Sequence, residues 1–335
     1  MTEHARSIEQ AQRVAFIRTD RLGETLLNLP AIATLKQALP HASLTFVVQA
    51  ELAPLFQDAP GIDRVIAYEP TAGQSWWHRA RALAKMLKSM QLDLVVVSNP
   101  KKELHLAVWL AGIRWRVGYA RKLGRWLLTH RLPDRKALGE RHEVEYNLDL
   151  VRSLGLPASA VPYLLPRFIR EQGEVSQLLE RHGIKASQPF IAIHPWSSNP
   201  VKQWPVDRFQ SLIRQSIERL AIRVVVIGGT EESARAREAL PAGISVVNLT
   251  GQLSVRQLAA LLQMARLLVS NDSGPVHLAA AVNTKTLVLF GTATQQATGP
   301  RRWGPWGAGH AVIVRPSMEA ISVDEVVETL ARQLA

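Results

Sequence analysis

The sequence predicts an α/β protein made of two Rossmann-like domains, each a parallel sheet with helices on both faces. Short apolar runs alternate with stretches of helical periodicity in the first half, and the second half repeats this order. Such alternation is typical of parallel strands joined by helical crossovers. With 335 residues and 47% apolar content, the chain is long enough to bury two cores.

Each predicted strand is a short, mostly aliphatic run, and the predicted helices have apolar residues at helical spacing. In the first half we predict strands at residues 14–17, 44–48, 65–67 and 92–97 and helices at 25–39, 50–58, 77–90 and 103–111. In the second half we predict strands at 190–193, 224–227, 267–269, 286–290 and 312–314 and helices at 206–220, 231–240, 255–265 and 323–334.

The connection between the domains is predicted in the proline-containing segment 156–166, which precedes a polar helix at 171–182. We place the boundary near residue 165. This gives an N-terminal domain of 1–165 and a C-terminal domain of 166–335.

Composition restricts the possible classes of protein. The absence of cysteine excludes disulfides and thiolate metal sites and fits a reducing compartment. The first 13 residues lack the apolar core of a signal peptide, and no apolar run reaches the roughly 18–20 residues of a membrane span. We therefore expect a cytoplasmic chain with at most peripheral membrane contact. The net charge of +12 predicts an anionic partner: nucleic acid, acidic lipid or a phosphorylated glycan.

The segment SNDSGPVHLAAAVNTKTLVLFG, residues 270–291, reads as a strand end, a glycine turn, a helix at about 276–282 and a further strand. Asp272 or Ser273 is a candidate cap, Pro275 suits a first helical turn, and His277 is expected in that turn. The backbone N–H groups that follow Gly274 would face the carboxyl end of the strand. This order predicts an anion site.

A second strand-loop-helix segment follows residues 191–194 and contains PWSSNPVKQWP. Ser197 and Ser198 can donate to phosphate oxygens, and Lys202 supplies a point charge. Alone, this pattern is also typical of a capped surface loop.

Together these two segments resemble a known family. HPWSSNPVKQWP from His194 and NDSGPVHLAAA from Asn271, in this order, are similar to the nucleotide-side signatures of the lipopolysaccharide heptosyltransferases, glycosyltransferase family nine. The resemblance extends to IRTDRLGETLLNLPAIATLKQALP at 17–40, WRVGYARKLGRWLLTHRLP at 115–133 and HEVEYNLDLVRSLGL at 142–156.

The resemblance implies a GT-B architecture in which two Rossmann-like domains face a central cleft. The N-terminal domain would hold the acceptor, and the C-terminal domain would hold the nucleotide-sugar donor. The same architecture is compatible with a last helix that packs on the N-terminal domain. The absence of GxGxxG and GxxxxGK[ST] loops after the predicted strands agrees with a nucleotide-sugar transferase.

The strand at 14–17 ends in a turn that places Gly23 and Glu24 at a helix start. The family usually has Asp after this glycine, as the proposed general base of a direct, inverting displacement, whereas this chain has Glu24. The longer side chain shifts the carboxylate, and Asp20 is the alternative base. Glu24 is also a favourable first-turn acid for a helix.

On the donor side, we expect Lys202, Ser197, Ser198 and the amides after Gly274 to stabilise the leaving diphosphate without a metal. The resemblance implies that Asp272 holds sugar hydroxyls, that His277 bonds the diphosphate or the sugar and that Glu231 binds the ribose. Leu253 would line the base pocket. The donor-binding residues are predicted to be Ser197, Ser198, Lys202, Glu231, Leu253, Asp272, Ser273, Gly274, Pro275 and His277.

On the acceptor side, a dense basic region is predicted to hold a phosphorylated, carboxylate-bearing glycolipid at an anionic membrane surface. The region includes Trp115 and Trp126 and consists of Arg114, Arg116, Arg121, Lys122, Arg125, Arg131, Arg135, Lys136 and Arg141. The acceptor-binding residues are predicted to be Arg18, Asp20, Gly23, Arg116, Arg121 and Lys122. A solvated basic face is an alternative. A nucleic-acid surface is another, without a recognised motif to support it.

We therefore predict an inverting, metal-independent glycosyltransferase with catalytic residues Glu24 and Lys202 and no cofactor. It would transfer a heptose from ADP-heptose to a lipid-linked acidic core oligosaccharide at the cytoplasmic face of the inner membrane. The alternatives are a related transferase with another nucleotide sugar and a non-catalytic nucleotide-sugar-binding or glycan-binding protein.

Overall fold

The computed structural model describes residues 8–156, 165–185, 187–291 and 296–335, the side chains of residues 122, 123, 125 and 296 excepted. The chain divides into two compact units, Met1–Leu165 and Pro166–Ala335. Each unit has a six-stranded parallel sheet, so the prediction of two parallel α/β units is confirmed.

The first unit has the sheet order β3-β2-β1-β4-β5-β6. Its strands are β1 (Arg13–Ile17), β2 (Ser43–Gln49), β3 (Arg64–Tyr68), β4 (Leu94–Val97), β5 (Trp115–Ala120) and β6 (His130–Pro133). Its α-helices are α1 (Leu22–Leu26), α2 (Leu29–Ala38), α3 (Ala53–Phe56), α4 (Trp76–Ser89), α5 (Lys102–Leu110) and α6 (Glu143–Arg152).

Alternate side chains of these strands point to opposite faces of the sheet. Ala15 and Ile17 of β1 face the core that packs beneath α4 and α5. Phe16 points the other way and meets Phe46, which contacts Phe56 of α3 edge to face. The sheet is therefore buried on both faces, as crossover helices require.

The second unit has the sheet order β12-β11-β10-β7-β8-β9. Its strands are β7 (Phe190–His194), β8 (Arg223–Val226), β9 (Val247–Asn248), β10 (Leu268–Asn271), β11 (Thr286–Phe290) and β12 (Ala311–Val314). Its α-helices are α7 (Ile169–Arg181), α8 (Val206–Glu218), α9 (Val255–Met264), α10 (Gly274–Ala281), α11 (Pro300–Trp303) and α12 (Val323–Leu334).

Two helices and three strands differ from the sequence prediction. The helix predicted at 25–39 is two helices, α1 and α2, separated at Leu27 and Asn28. The helix predicted at 231–240 is a 3-10 helix, Thr230–Ala239, whose exposed and mostly polar side chains bury little beyond Ala236 and Ala239. Strands β5, β6 and β9 were not predicted, because their sequences contain polar or glycine residues or are only two residues long.

The last helix, α12, lies in the core of the second unit. Its buried Val326, Val327 and Leu330 join a cluster that includes Trp204 and Phe209. These contacts account for its apolar face within this unit. None of the helices in the described ranges combines the length and apolar character needed to cross a bilayer.

Candidate active site

The loop after β7 is fixed in the second unit by two buried tryptophans and one asparagine. Trp196 and Trp204 are both almost completely buried. The Asn271 amide, at the end of the neighbouring strand β10, donates to the Pro195 carbonyl at 2.9 Å and accepts from the Trp204 backbone N–H at 3.0 Å. Parallel strands end at one edge of a sheet, so the two signature segments of the sequence meet there.

Lys202 and Asp272 form an ion pair across these two segments. The Lys202 Nζ lies 2.5 Å from the Asp272 Oδ2. Their side chains are 21% and 9% exposed, so the pair is largely shielded from water. An ammonium group has three donors, and the pairing with Asp272 leaves others for a second anion. The structure thus joins two residues to which the sequence analysis assigned separate roles.

His194, for which no partner was predicted, belongs to a small polar cluster beside this pair. Its Nδ1 lies 3.1 Å from the Ser273 Oγ and 3.3 Å from the Ser270 Oγ, and the two hydroxyls are 2.8 Å apart. Burial lowers the pKa of His194 to about 4, because the imidazolium form would lose its hydration. The imidazole is therefore neutral near pH 7.

The start of α10 follows this cluster directly. Ser273 occupies the N-cap position, but its side chain makes no capping hydrogen bond, because the hydroxyl is used by Ser270 and His194. Gly274 and Pro275 form the first turn, and Gly274 begins the helix instead of preceding it. His277 is 5% exposed, so it is a buried first-turn residue.

The residues that follow β8 are closely packed. A Cβ added to Gly228 would lie 2.9 Å from both Thr250 Cγ2 and Trp196 Cδ1, so only glycine fits there. The Trp196 Nε1 and the Thr250 Oγ1 are buried without a hydrogen-bond partner among the described residues. Buried polar atoms seldom stay unpaired, so these two atoms suit a polar ligand.

The other predicted donor residues lie around this edge. Glu231 is exposed at the start of the 3-10 helix Thr230–Ala239, and its neighbour Glu232 accepts the Gly229 N–H at 2.5 Å instead. Leu253 is partly buried in the turn before α9. Ser197 accepts the Asn199 N–H at 3.3 Å, and Ser198 is exposed.

The first unit has a charged network at the carboxyl ends of β1 and β4. The Asp20 carboxylate receives the Lys101 Nζ at 2.7 Å, the Arg18 Nε at 3.1 Å and the Asn99 amide at 3.1 Å. Burial alone would raise the pKa of Asp20, but Arg18 and Lys101 outweigh it and lower the pKa below the ordinary value. Asp20 is therefore a weak proton acceptor.

Glu24 contrasts with Asp20. It lies in the first turn of α1, behind the buried Gly23, and its side chain is partly exposed. In the described part of the chain, its carboxylate makes neither an ion pair nor a side-chain hydrogen bond. Of the two candidate bases, Glu24 is the carboxylate that remains available.

Two further residues, Glu143 and Asn147, make contacts in this region that were not predicted. The Arg18 Nη1 lies 3.9 Å from the buried Glu143 carboxylate, which also accepts a hydrogen bond from the Lys136 Nζ at 2.6 Å. The Asn147 amide, one helical turn after Glu143, donates to the Leu27 carbonyl at 3.0 Å. The sequence contained a signal for Lys101 and Asn99, because both residues follow the strand predicted at 92–97. It contained no such signal for Glu143, since this residue comes from a helix that is distant in the sequence.

The predicted basic region is paired in part within the first unit. Arg121 pairs with Asp134 at 2.5 Å, and Arg141 pairs with Asp149 and Glu145. Arg116 donates to the carbonyls of Leu127 and Ile113 in the β5–β6 connection, and these uncharged groups do not offset its charge. The Lys122 side chain lies outside what the structure describes. The assignment of this region to the acceptor stays a prediction.

The residues of the described ranges do not bring together three or more His, Asp or Glu side chains in a way that would hold a metal ion.

Comparison with known proteins places these features in a family. The family model for glycosyltransferase family 9 (heptosyltransferase) matches residues 80–326. Lipopolysaccharide heptosyltransferase 2 of Escherichia coli is 25% identical over 86% of this chain and 85% of its own length. A solved family 9 glycosyltransferase from Veillonella parvula matches with a TM-score of 0.86 and 21% identity, covering 96% of this chain and 97% of that one.

A further solved structure is the Escherichia coli heptosyltransferase WaaC with ADP. It matches with a TM-score of 0.74 and 21% identity, covering 96% of this chain and 100% of that one. WaaC has also been solved with ADP-2-deoxy-2-fluoro heptose. These likenesses confirm the GT-B fold, and the family model covers most of the chain. The protein belongs to glycosyltransferase family 9 and is a heptosyltransferase-like glycosyltransferase.

Proposed function

We propose that this protein transfers a heptose from ADP-heptose to a lipid-linked, acidic core oligosaccharide in lipopolysaccharide biosynthesis, with inversion at the anomeric carbon and without a metal. The observation that carries the proposal is the Lys202–Asp272 pair beside the start of α10, in a chain of the heptosyltransferase family. The ADP and ADP-heptose analogue held by WaaC support the class of donor.

On the donor side, Lys202 offers its remaining N–H groups to the diphosphate, and Asp272 keeps the ammonium in place. Fixed donors that meet developing negative charge are more effective than mobile ones, because they need no reorganisation during the reaction. The N–H groups of the first turn of α10 add a smaller contribution, about 0.3–1 kcal/mol for an exposed helix end. The unpaired Trp196 Nε1 and Thr250 Oγ1 are candidates for contacts to the nucleoside.

On the acceptor side, Glu24 removes the proton from the attacking hydroxyl. The acceptor oxygen forms a bond to the anomeric carbon, the bond from that carbon to the diphosphate oxygen breaks, and ADP leaves with the electron pair. Lys202 stabilises the charge that develops on the leaving group. Asp20 stays ionised between Arg18 and Lys101, and this network is suited to orient an acidic sugar.

We further propose that the enzyme acts at the cytoplasmic face of the inner membrane through peripheral contact, since its acceptor is lipid-linked.

Calorimetric titration with ADP-heptose, UDP-sugars and GDP-sugars in a buffer with EDTA tests the proposal. We expect selective binding of ADP-heptose, weakened by Lys202→Ala and unchanged by Lys185→Ala, which removes an exposed lysine elsewhere in the same unit. Preference for a UDP- or GDP-sugar would replace the proposed donor, and binding that needs a divalent cation would refute the metal-free mechanism.

A further inference from the structure

The outer face of α4 and α5 in the first unit has large aromatic and basic side chains on its surface. Trp76 and Trp77 are 37% and 39% exposed at the start of α4. From Trp77, the exposed positions continue at helical spacing with Arg81, Lys85 and Lys88. We call these residues, with Lys102 of α5, the tryptophan–lysine surface.

Cations lie directly against the aromatic rings of this surface. The Lys102 Nζ lies 4.3 Å from the ring centroid of Trp76, and the Arg81 Cζ lies 4.9 Å from that of Trp77. Two turns along α5 from Lys102, Trp109 is 48% exposed, and Leu110 beside it is 40% exposed. The surface therefore combines apolar area with positive charge.

Positive charge dominates the two helices. α4 contains no acidic residue, and the only one in α5 is Glu103. Glu103 is paired within the surface layer, because its carboxylate accepts Arg79 at 2.7 Å. The basic side chains Arg81, Lys85, Lys88 and Lys102 are thus left without a carboxylate of these helices to neutralise them.

The opposite faces of both helices are firmly packed. The buried side chains lie in the core between these helices and the sheet, and they are Ala80, Leu83 and Leu87 of α4 and Leu104 and Val108 of α5. Burial of these side chains holds the helices in place, so the outer face is presented by a rigid layer. Exposed tryptophans on such a layer have no structural role in the core.

The surface begins beside the charged network of the first unit. Lys102 follows Lys101, whose Nζ contacts Asp20. A bilayer against this surface would bring lipid headgroups to the carboxyl edge of the sheet, where Arg18 and Asp20 lie. A lipid-linked substrate could then reach the site with its acyl chains still in the membrane.

We propose that the tryptophan–lysine surface binds an anionic lipid bilayer, with the indole rings at the headgroup level and the basic side chains on the acidic lipids. This inference rests on the proposed lipid-linked acceptor and names the surface that meets its membrane. Indole rings favour the interface between headgroups and acyl chains, and basic residues near the surface are attracted to anionic lipids. Single-stranded RNA fits less well, because Lys102 and Arg81 already lie over the ring faces on which bases would stack.

Flotation of the full chain with phosphatidylglycerol–phosphatidylcholine vesicles tests this proposal. We expect binding to the mixed vesicles and little binding to pure phosphatidylcholine. Both W76S/W77S and K85E/K88E should lower the partition coefficient by about tenfold or more. I169S, which removes a 64% exposed apolar side chain at the start of α7 in the second unit, is the control and should bind as the parent does.

Equal vesicle binding by the parent and both double variants would overturn the proposal. So would a loss confined to I169S, or binding to single-stranded RNA that exceeds vesicle binding and falls in the two double variants. Thermal unfolding of the variants checks that they are folded, and K85E/K88E changes only exposed side chains. Vesicle binding is measured without turnover, so it stays informative if heptose transfer fails. If transfer occurs, W76S/W77S should keep its activity on a delipidated acceptor and lose it on a vesicle-bound one.

Discussion

Lys202 and Asp272 are paired at 2.5 Å although they come from separate loops 70 residues apart. The pair joins the loop after β7 to the end of β10, which Asn271 also connects through the Pro195 carbonyl. A lysine held in this way loses less conformational freedom when it meets a second anion than a solvent-exposed lysine does. The proposed donor site is thus preorganised by contacts within one unit.

Removal of the ammonium tests this arrangement. Lys202→Ala should lower kcat/KM by about a hundredfold to a thousandfold, because the leaving diphosphate loses a fixed donor. Steady-state kinetics with varied donor measures the effect, and Lys185→Ala is the matched control. Parent-like kcat/KM in Lys202→Ala would remove this residue from the mechanism.

The identity of the general base is tested by two isosteric changes. Glu24→Gln should lower kcat by about a hundredfold to ten-thousandfold with little effect on unfolding, since the Glu24 carboxylate pairs with no other described group. Asp20→Asn should instead lower the free energy of unfolding by about 1–3 kcal/mol, because Arg18 and Lys101 lose their carboxylate. Kinetics and urea titration on both variants separate the roles. If Asp20→Asn alone abolished turnover at unchanged stability, Asp20 would be the base.

Gly228 tests whether the closely packed residues after β8 belong to the proposed donor site. Gly228→Ala places a Cβ 2.9 Å from Thr250 and Trp196, so these side chains must shift. We expect at least about a tenfold rise in the dissociation constant for ADP-heptose, measured by calorimetry. Gly173→Ala, in α7 and with open space around the added carbon, should leave binding unchanged. Equal affinities of the two variants for ADP-heptose would show that the residues around Gly228 do not contact the donor.

His194 makes the second unit sensitive to acid. Its folded-state pKa of about 4 lies below the ordinary 6.5, so between these values the unfolded chain binds a proton that the folded chain does not. The neutral His194 therefore contributes on the order of 3 kcal/mol to the free energy of unfolding. This contribution is fully present above about pH 6.5 and is lost as the pH falls towards 4. Urea titrations across this pH range give the free energy of unfolding at each pH, and this free energy should fall less steeply with falling pH for His194→Gln than for the parent. The same pH dependence in both proteins would mean that His194 is solvated. His182→Gln, which changes an exposed histidine, is the control.

The fold was predictable because parallel strands buried on both faces are nearly continuous apolar runs. Thr286–Phe290 was predicted with its full bounds. The break between α1 and α2 was not predicted, although Pro30 in the first turn of α2 was a signal for it, because proline inside a helical pattern ends or kinks the preceding helix. The Asn28 amide donates to the Glu24 carbonyl at 2.6 Å, a local contact that periodicity does not encode.

The candidate site residues were proposed from the loops that follow strands and from the family resemblance. Lys202, Asp272 and Glu24 lie in the segments after β7, β10 and β1. The pairing of Lys202 with Asp272 was not predicted, because the distance between two loops depends on the order of the strands, here β10 beside β7. The role of Glu143 was also hidden, since its carboxylate reaches Arg18 only through the packing of α6.

The most direct test of the central claim is heptosyl transfer itself. The purified protein is incubated in EDTA with ADP-heptose and a lipid-linked acidic core acceptor, and the acceptor is then examined by mass spectrometry. The account predicts addition of one heptosyl residue with release of ADP and inverted anomeric configuration. An unmodified acceptor alongside intact ADP-heptose, or transfer only from a UDP- or GDP-sugar, would contradict it.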